Sequence, residues 1–276
     1  MKYAPYDGDA PVPQADPAVQ RFFPVVLPTY LVDFWPRMKS YFFSVYENSL
    51  YELCVFIVGL SALFMGRILY LSYAMRKARN RLPLVIGGWG TRGKSGTERL
   101  KAALLGAYGF GIFSKTTGCE AMFLYAYPFG PLREILLFRP YEKATIWEQY
   151  NVVRLADRLE ADVFLWECMA LTPAFVYILQ RQWMRDDAAT ITNTYPDHED
   201  IQGPAGIDIP EVMTNFIPRN ATLVTSEEQM RPILVEAARG LGTQTRCVGW
   251  LEAGLIPPDV LGRFSYQEHP YNVALV

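Results

Sequence analysis

The feature that most constrains this chain is the segment 88–95, which reads GWGTRGKS. It matches the phosphate-loop pattern, in which a glycine and about four further residues precede Gly-Lys-Ser. The short apolar stretch 82–86 predicts a strand that enters the loop, and the segment 94–107 predicts a helix that leaves it. Strand, loop and helix in this order are typical of a protein that binds the phosphates of a nucleotide.

Each residue type in this loop has a physical role. Glycines let backbone N–H groups turn toward phosphate oxygens, and the helix N-terminus adds the positive end of its dipole. Lys94 can reach the terminal phosphates, and the Ser95 hydroxyl can bind Mg²⁺. The alternative is a glycine-rich turn before a core helix. It is disfavoured because the strand, the glycines, the Lys-Ser pair and the helix all agree with a phosphate loop. The apolar face of the helix is expected at Leu100, Ala103, Leu104 and Ala107.

Strand and helix patterns alternate after the loop. Predicted strands lie at 110–113, 161–166, 188–192, 221–225 and 245–249, and predicted helices lie at 148–159 and in a shorter segment that ends near residue 239. This alternation favours an α/β fold with a mostly parallel sheet and helices on both faces. Ligands bind at the carboxyl ends of the strands in such folds. Glu167 and Asn193 each follow a predicted strand, so we expect both near the phosphate loop.

A long apolar run precedes the phosphate loop. Residues 53–75 are broken mainly by Arg67, and their number is about that needed to span a bilayer. Aromatic residues flank the run and the basic segment 76–81 follows it, which predicts that this end faces the cytoplasm. We therefore expect a single-pass protein of the inner (cytoplasmic) membrane with its catalytic domain in the cytoplasm. A cleaved signal peptide or a soluble core helix is the alternative, and Arg67 either contacts a membrane partner or lies near the interface.

Three parts of the chain differ in composition. Residues 1–30 contain six prolines, which predicts an extended or disordered arm. Residues 31–81 hold the apolar run and its flanks, and residues 82–276 hold the alternating pattern. A length of 276 residues suits one large domain with appendages, and a formal charge of −2 gives no general reason to expect nucleic acid as a partner.

Two polar segments at strand ends add candidates for metal binding. Glu167 follows an apolar strand, where its carboxylate would complete Mg²⁺ ligation beside Ser95; an exposed strand-end glutamate is the alternative. The segment 192–200 places His198 in an acidic loop, where it could bind a second metal or orient a substrate. From these residues alone, a solvated acidic loop is the better explanation.

Five motifs occur in an order that resembles a known family. They are GTRGKS at 90–95, SKTTG at 114–118, WECMA at 166–170, TNTYPDH at 192–198 and IQGP at 201–204. Together they resemble the Mur-ligase superfamily, and most closely the membrane-anchored ligase subunit of poly-γ-glutamate synthase, the CapB/PgsB type. The resemblance extends from about residue 53 to the end, and that branch also begins with one membrane helix followed by basic residues.

The resemblance implies a reaction, its substrates and its partners. Such ligases use ATP to phosphorylate an acceptor carboxylate, and an amine then attacks the acyl phosphate to form an amide. The implied substrate is an amino acid, with glutamate as the first candidate, or a polyamide such as poly-γ-glutamate. The implied partners are the membrane and small membrane subunits of a synthase and export complex.

The resemblance also implies roles for individual residues. Lys94, Glu167 and His198 would be catalytic, and Ser95, Glu167 and His198 would bind metal, with Mg²⁺ as the first ion. Asn193 would orient the turn that holds His198, and the loop 116–118 would lie near the γ-phosphate. The implied nucleotide-binding residues are Gly90, Thr91, Arg92, Gly93, Lys94, Ser95, Gly96, Thr116, Thr117, Asn193 and Asn272.

The sequence departs from the family in three places. Arg92 stands where cell-wall Mur ligases commonly have Asn or Lys, although the capsule branch tolerates arginine. The sequence ends at Val276, shortly after Asn272, so the family's C-terminal Rossmann-like domain is expected to be absent. Either the chain is truncated, or another polypeptide supplies this domain, or the protein no longer ligates. Residues 125–145 are more aromatic and apolar than the usual polar connection, and they either touch a membrane or partner or pack in the ordinary way.

Two other classes of function stay open. A nucleotide-binding assembly or regulatory subunit of a membrane complex would keep the phosphate loop without ligating. The missing lobe favours that class, whereas Glu167 and His198 oppose it. A P-loop transport or motor ATPase predicts a hydrophobic strand that ends in Asp-Glu, and the strand that ends at Glu167 lacks this pair.

Overall fold

The computed structural model of the chain describes residues 50–118, 121–139 and 144–276, together with Met38. The chain divides into two compact units, Met1–Leu71 and Ser72–Val276. The predictions for the proline-rich arm 1–30 and for most of the segment 31–49 lie outside the described residues.

An apolar helix, α1 (Leu50–Arg81), contains the predicted membrane span. Within the described residues, its part Leu53–Arg81 is long and apolar enough to cross a membrane, with a mean hydropathy of 2.1 over its most apolar window. None of that window is buried, which distinguishes it from the core helix of a soluble domain. The last turns belong to the second unit, where Met75 and Ala78 are buried.

An eight-stranded sheet forms the centre of the second unit. Its strands are β1 (Leu84–Trp89), β2 (Ile112–Thr116), β3 (Met122–Ala126), β4 (Arg133–Leu136), β5 (Val163–Glu167), β6 (Ala188–Ile191), β7 (Thr222–Thr225) and β8 (Gln244–Cys247). They lie in the order β4-β3-β2-β5-β1-β6-β7-β8. From β2 to β8 in this order the strands are parallel, while β3 and β4 run antiparallel at one edge. The predicted α/β class with a mostly parallel sheet is confirmed.

Helices cover both faces of the sheet. The remaining helices are α2 (Lys94–Ala107), α3 (Ile146–Arg158), α4 (Pro173–Tyr177), a π-helix (Ile178–Met184), α5 (Glu199–Gln202), α6 (Asp208–Met213), a 3₁₀ helix (Thr214–Phe216), α7 (Arg231–Gly240), α8 (Trp250–Gly254), α9 (Pro258–Leu261) and α10 (Pro270–Leu275). On one face, Ala102 of α2 packs in an apolar cluster with Val163 and Leu165. On the other face, the ring of Phe216 lies 5.3 Å from that of Trp166. Successive strand residues thus contact opposite layers.

The face of α2 that packs on the sheet differs from the predicted one. Ala103, Leu104 and Ala107 are exposed, whereas the polar residues Glu98 and Lys101 are buried. The expectation that apolar spacing marks the inner face was therefore wrong for this helix. Its first turns lie directly behind the phosphate loop, where a buried ion pair takes the place of apolar side chains.

The hairpin β3–β4 was missed because its sequence was interpreted as a connection. Its strands pair Leu124 with Glu134 and Tyr125 with Arg133. All residues of β4 are exposed, since this strand lies at the edge of the sheet. An edge strand pairs with a neighbouring strand on one side only. The alternation of apolar and polar residues that predicts a half-buried strand is therefore weak in β4.

Candidate nucleotide site

The phosphate loop joins β1 to α2 with a backbone that requires glycine at two positions. Gly90 has φ 138° and Gly93 has φ 84°, a region that side chains rarely adopt. A Cβ on Gly90 would overlap Thr192 Oγ1, and one on Gly93 would lie 2.5 Å from Asn272 Oδ1. The loop is therefore packed against the end of β6 and against α10.

The segment after β6 holds the loop by hydrogen bonds. Thr91 N–H donates to Asn193 O at 3.0 Å, and Thr91 Oγ1 donates to Tyr195 O at 2.8 Å. The side-chain amide of Asn193 makes two hydrogen bonds to the backbone of Arg92. Its Oδ1 accepts from the Arg92 N–H at 2.9 Å, and its Nδ2 donates to the Arg92 carbonyl at 3.1 Å. Thr192 Oγ1 donates to the same carbonyl at 2.6 Å. These bonds fix the backbone of the loop at Thr91 and Arg92.

Asn193 therefore supports the phosphate loop directly. The sequence led us to expect that its side chain orients the turn of Asp197 and His198. In the structure the amide bonds Arg92 instead, because β6 lies beside β1 and its end meets the loop. Both roles expected of Asn193, in nucleotide binding and in orienting the turn with His198, stay predictions.

Glu167 lies at the end of β5, fully buried beside the start of α2. Its Oε2 accepts from Ser95 Oγ at 2.8 Å and from Thr117 N–H at 2.7 Å. Within the described residues, its Oε1 has no hydrogen-bond partner. A buried carboxylate oxygen without a donor is costly unless a cation or water completes it. The carboxylate and the serine hydroxyl together form the oxygen set that Mg²⁺ prefers.

Lys94 and the loop after β2 complete the part of the site nearest Glu167. Lys94 begins α2, and its Nζ donates to Thr91 O at 3.2 Å across the loop. Thr117 contributes its backbone N–H, whereas the side chain of Thr116 is fully buried and its hydroxyl lacks a partner within the described residues. A Cβ on Gly118 would lie 3.1 Å from Ser95 Oγ, so this loop packs closely on the start of α2.

His198 lies in an exposed loop beside the phosphate loop. It adopts φ 51°, and its Nε2 is 4.0 Å from Asp197 Oδ1. Asp197 also lies 3.9 Å from the guanidinium of Arg92, which brings this turn to the loop. No group of three or more His, Cys, Asp or Glu residues arranged for a metal ion occurs within the described part of the chain. The predicted second metal on His198 therefore stays a prediction.

A cleft of about 370 Å³ opens beside Gly93. Its wall includes Asn272, whose Nδ2 donates to Glu268 Oε1 at 2.8 Å, and Tyr271, whose hydroxyl donates to Glu228 Oε1 at 3.2 Å. The full lining is Arg92, Gly93, Thr192, Asn193, Tyr195, Ser226, Glu227, Glu228, Gln229, His269, Tyr271 and Asn272. The predicted residue Asn272 thus lies between the phosphate loop and a cavity with aromatic and polar walls.

A buried ion pair lies directly behind the loop and was not predicted. Lys101 Nζ lies 2.5 Å from Glu98 Oε1 and donates to Thr190 Oγ1 at 3.0 Å. A Cβ on Gly88 would overlap the Glu98 carboxylate, so the first glycine of the motif makes room for this side chain. Burial raises the pKa of Glu98 to about 7, although Lys101 opposes the change. The signal in the sequence was a charged pair three residues apart on the helix after the loop.

A second buried ion cluster flanks the loop after β2. Lys115 Nζ lies 2.7 Å from Glu148 Oε1, and Arg139 makes two hydrogen bonds to the same carboxylate at 2.7 and 2.9 Å. Burial lowers the pKa of Lys115. Burial alone would raise the pKa of Glu148, but the bond from Arg139 and the charge of Lys115 lower it below its usual value. The cluster fixes the backbone just before Thr116.

Comparison with known sequences gives two relatives with stated functions. No protein-family model matches the chain. The capsule biosynthesis protein CapB of Bacillus anthracis is 30% identical over 224 residues, which cover 80% of this chain and 47% of that protein. The PGA synthase CapB of Bacillus subtilis strain 168 is 28% identical over 200 residues, covering 72% of this chain and 49% of that protein. The chain spans about half the length of these relatives.

Comparison with solved structures gives more distant matches. FolC of E. coli in complex with ADP is 18% identical with a TM-score of 0.48, covering 64% of this chain and 45% of that one. The bifunctional folylpolyglutamate synthase/dihydrofolate synthase of Yersinia pestis CO92 is 18% identical with a TM-score of 0.47, covering 64% and 46%. At these TM-scores the matches add no weight to a functional argument.

Proposed function

We propose that this chain, a relative of the CapB capsule-synthesis proteins with the motifs of the Mur ligases, is the ATP-binding part of an amide ligase. The acceptor would be a carboxylate of glutamate or of a growing poly-γ-glutamate chain. ATP would phosphorylate this carboxylate, and an amine would then displace the phosphate to form an amide. One relative of the chain is named a PGA synthase, which supports the proposal.

The observation that carries the proposal is the arrangement around Glu167. A phosphate loop alone supports nucleotide binding, but the reaction also needs a metal held beside the terminal phosphate. Ser95 Oγ and Glu167 lie 2.8 Å apart at the loop, and Glu167 Oε1 is buried without a partner within the described residues. These two residues fit Mg²⁺, which would offset negative charge on the phosphoryl oxygens when bound.

The chain's own groups account for the remaining electrostatics of phosphoryl transfer. Amide groups of the loop and the Lys94 ammonium would bind the phosphates, where charge increases during transfer. In the first step a carboxylate oxygen bonds to the γ-phosphorus and the bond to ADP breaks. In the second step the amine bonds to the acyl carbon, phosphate leaves, and the amine loses a proton. Thr117 and the turn with His198 lie at the loop's rim, and we assign them to the acceptor side.

The cleft beside Gly93 suits the nucleoside of ATP. It continues from the phosphate loop, and its walls offer the ring of Tyr271 and the polar side chains of Asn193 and Asn272. Binding sites of this kind commonly combine apolar or aromatic surface with a few polar groups that fix orientation. We therefore assign the base and ribose to this cleft.

The apolar part of α1 would anchor the protein in the cytoplasmic membrane. Leu53–Arg81 has the required length and hydropathy, and its basic end indicates that the nucleotide site faces the cytoplasm, where ATP is available. Small membrane subunits that contact this helix near Arg67 and export the product are the partners we propose.

The test is Mg²⁺-dependent ADP release by the detergent-solubilised full chain, alone and with co-purifying partners, in the presence of glutamate or a glutamate oligomer. We expect release that depends on both Mg²⁺ and substrate. Glu167→Gln and Lys94→Ala should each lower it by at least about a hundredfold, since both remove charge stabilisation at the transferred phosphoryl group. The matched control Glu236→Gln changes a glutamate whose side chain is 74% exposed and should keep full activity.

Tight ATP binding without substrate-dependent turnover in either sample would contradict the ligase proposal. That outcome would instead support a nucleotide-binding assembly subunit. Unchanged turnover in Lys94→Ala would contradict both functions, because each needs the phosphate loop.

A further inference from the structure

Four exposed aromatic side chains lie at the amino-terminal edge of the parallel strands, opposite the phosphate loop. Tyr108 and Phe110 lie between α2 and β2, and Tyr127 and Phe129 lie between β3 and β4. Their exposed fractions are 71%, 44%, 73% and 79%, respectively. We refer to these four residues as the aromatic patch.

The two connections that carry the aromatic patch meet in space. Ile112 at the start of β2 pairs with Ala126 at the end of β3, so both connections leave the sheet at one point. The ring of Phe129 lies over Gly109, where a Cβ would overlap it. The four side chains therefore form one surface rather than separate exposed residues.

The turn that contains Phe129 has an unusual residue at its third position. Gly130 N–H donates to Tyr127 O at 2.8 Å, and Phe129, the third residue of this turn, has φ 58°. Turns with a positive φ at this position favour glycine or asparagine. A phenylalanine in this position, with its side chain 79% exposed, is therefore unusual for such a turn.

The end of α1 joins the domain at the same edge. Arg79 donates to the carbonyls of Met184 and Arg185, which precede β6, and pairs with Asp187 at 3.0 Å. Within the second unit, the last turn of α1 is therefore held at the edge that carries the aromatic patch.

Charge is distributed unevenly between the two edges of the sheet. The exposed basic residues that lie at the amino-terminal edge include Arg76, Lys77, Arg81, Arg133, Arg158 and Arg219. The acidic residues there include Asp157, Glu160, Asp162 and Asp187. Two of these are paired, Asp157 with Arg81 and Asp187 with Arg79. The exposed acidic residues Glu199 and Asp200 lie at the opposite edge, near the phosphate loop.

We propose that the amino-terminal edge rests on the anionic cytoplasmic surface of the membrane that α1 spans. The aromatic patch would lie at headgroup level, where ring faces contact acyl chains and tyrosine hydroxyls reach water. The exposed arginines and lysine would lie over acidic lipid headgroups. This orientation turns the phosphate loop and its cleft away from the bilayer. The inference rests on the membrane anchorage proposed above.

The test uses the full chain in nanodiscs of phosphatidylcholine and phosphatidylglycerol that contain a lipid with a photoreactive group near the headgroup. After irradiation, mass spectrometry locates the labelled peptides. We expect labelling of the peptides that contain 108–110 and 127–129, and less labelling when phosphatidylglycerol is left out. The peptide that contains Trp250 and Leu255, each 72% exposed and located after β8, should stay unlabelled. The peptide from 53–71 reports insertion of the span.

A pair of double variants separates membrane contact from general exposure. Tyr127→Ser with Phe129→Asn removes two rings and places at 129 a residue that tolerates its backbone conformation. Labelling of that peptide should fall to the level of the control peptide. Trp250→Ser with Leu255→Ser removes side chains of equal exposure elsewhere and should leave labelling of the patch unchanged.

Two results would overturn the proposal, and they differ in what else they affect. A labelled span with an unlabelled aromatic patch would leave the anchorage intact and assign the patch to a protein partner. An unlabelled span would remove the anchorage and this inference together, without bearing on ADP release.

Discussion

Glu98 gives a prediction that links the buried ion pair to the stability of the phosphate loop. It is fully buried on α2, within 2.5 Å of Lys101, and its carboxylate fills the space left by Gly88. Glu98→Gln keeps the size of the side chain and an oxygen acceptor for Lys101, and it removes the titrating group.

The expected magnitude follows from the pKa of Glu98, which burial raises from 4.5 to about 7 despite the opposing charge of Lys101. Below pH 4.5 the carboxyl is protonated in both the folded and the unfolded chain, and it has no effect on the pH dependence. As pH rises from 4.5 to 7, the unfolded chain ionises first. The free energy of unfolding therefore falls, by ~3 kcal/mol in total, since one pKa unit corresponds to about 1.4 kcal/mol.

The assay is urea unfolding followed by tryptophan fluorescence, from pH 4.5 to 8, for the unmodified chain and for Glu98→Gln. The difference in unfolding free energy between the two should change by ~3 kcal/mol across this range, in favour of the variant at high pH. Burial also raises the pKa of Asp186 to about 7, and this residue is present in both proteins. Its charge is the smallest of the causes that act on the pKa of Glu98. For the control Glu236→Gln, unfolding free energy should change with pH in parallel with that of the unmodified chain. The same parallel change for Glu98→Gln would refute the reasoning.

Three further predictions concern other contacts of the site and the helix end. Asn193→Ala removes both amide bonds to Arg92, and ATP affinity measured by calorimetry should fall about tenfold. Gly93→Ala places a side chain at φ 84° and should abolish ATP binding in the same assay, whereas Gly206→Ala, at an open position, should not. Arg79→Met leaves buried carbonyls without a donor, and urea unfolding should show a loss of ~3 kcal/mol; an unchanged midpoint would contradict this role.

The site illustrates which contacts a pattern can predict. Lys94 and Ser95 are local to the loop, so their positions at the start of α2 follow from the sequence pattern alone. Glu167 was predicted at a strand end, and the structure places it 2.8 Å from Ser95 because β5 pairs with β1. The second partner of its carboxylate, the N–H of Thr117, is a backbone group, which no residue pattern reveals.

Other features depended on packing that the pattern could not show. Glu98 is buried because Gly88 has no side chain to occupy its place and because Lys101, one turn later, pairs with its carboxylate. Apolar spacing shows neither contact, so it predicted the wrong inner face for α2. The hairpin β3–β4 lies at the sheet edge, and its outer strand β4 has no buried side chain.

The sequence by itself determined the local elements of this protein. The phosphate loop, the apolar helix and the alternation of strands follow from short-range rules, because glycine conformation, helix periodicity and bilayer thickness act on neighbouring residues. The tertiary structure decided which of these elements meet. The strand order β5-β1-β6 brings Glu167 and Asn193 to opposite sides of the phosphate loop, and the connections that carry the aromatic patch lie at the opposite edge of the sheet. The physical reason is that such contacts join residues distant in sequence, and only burial of the whole sheet holds them together.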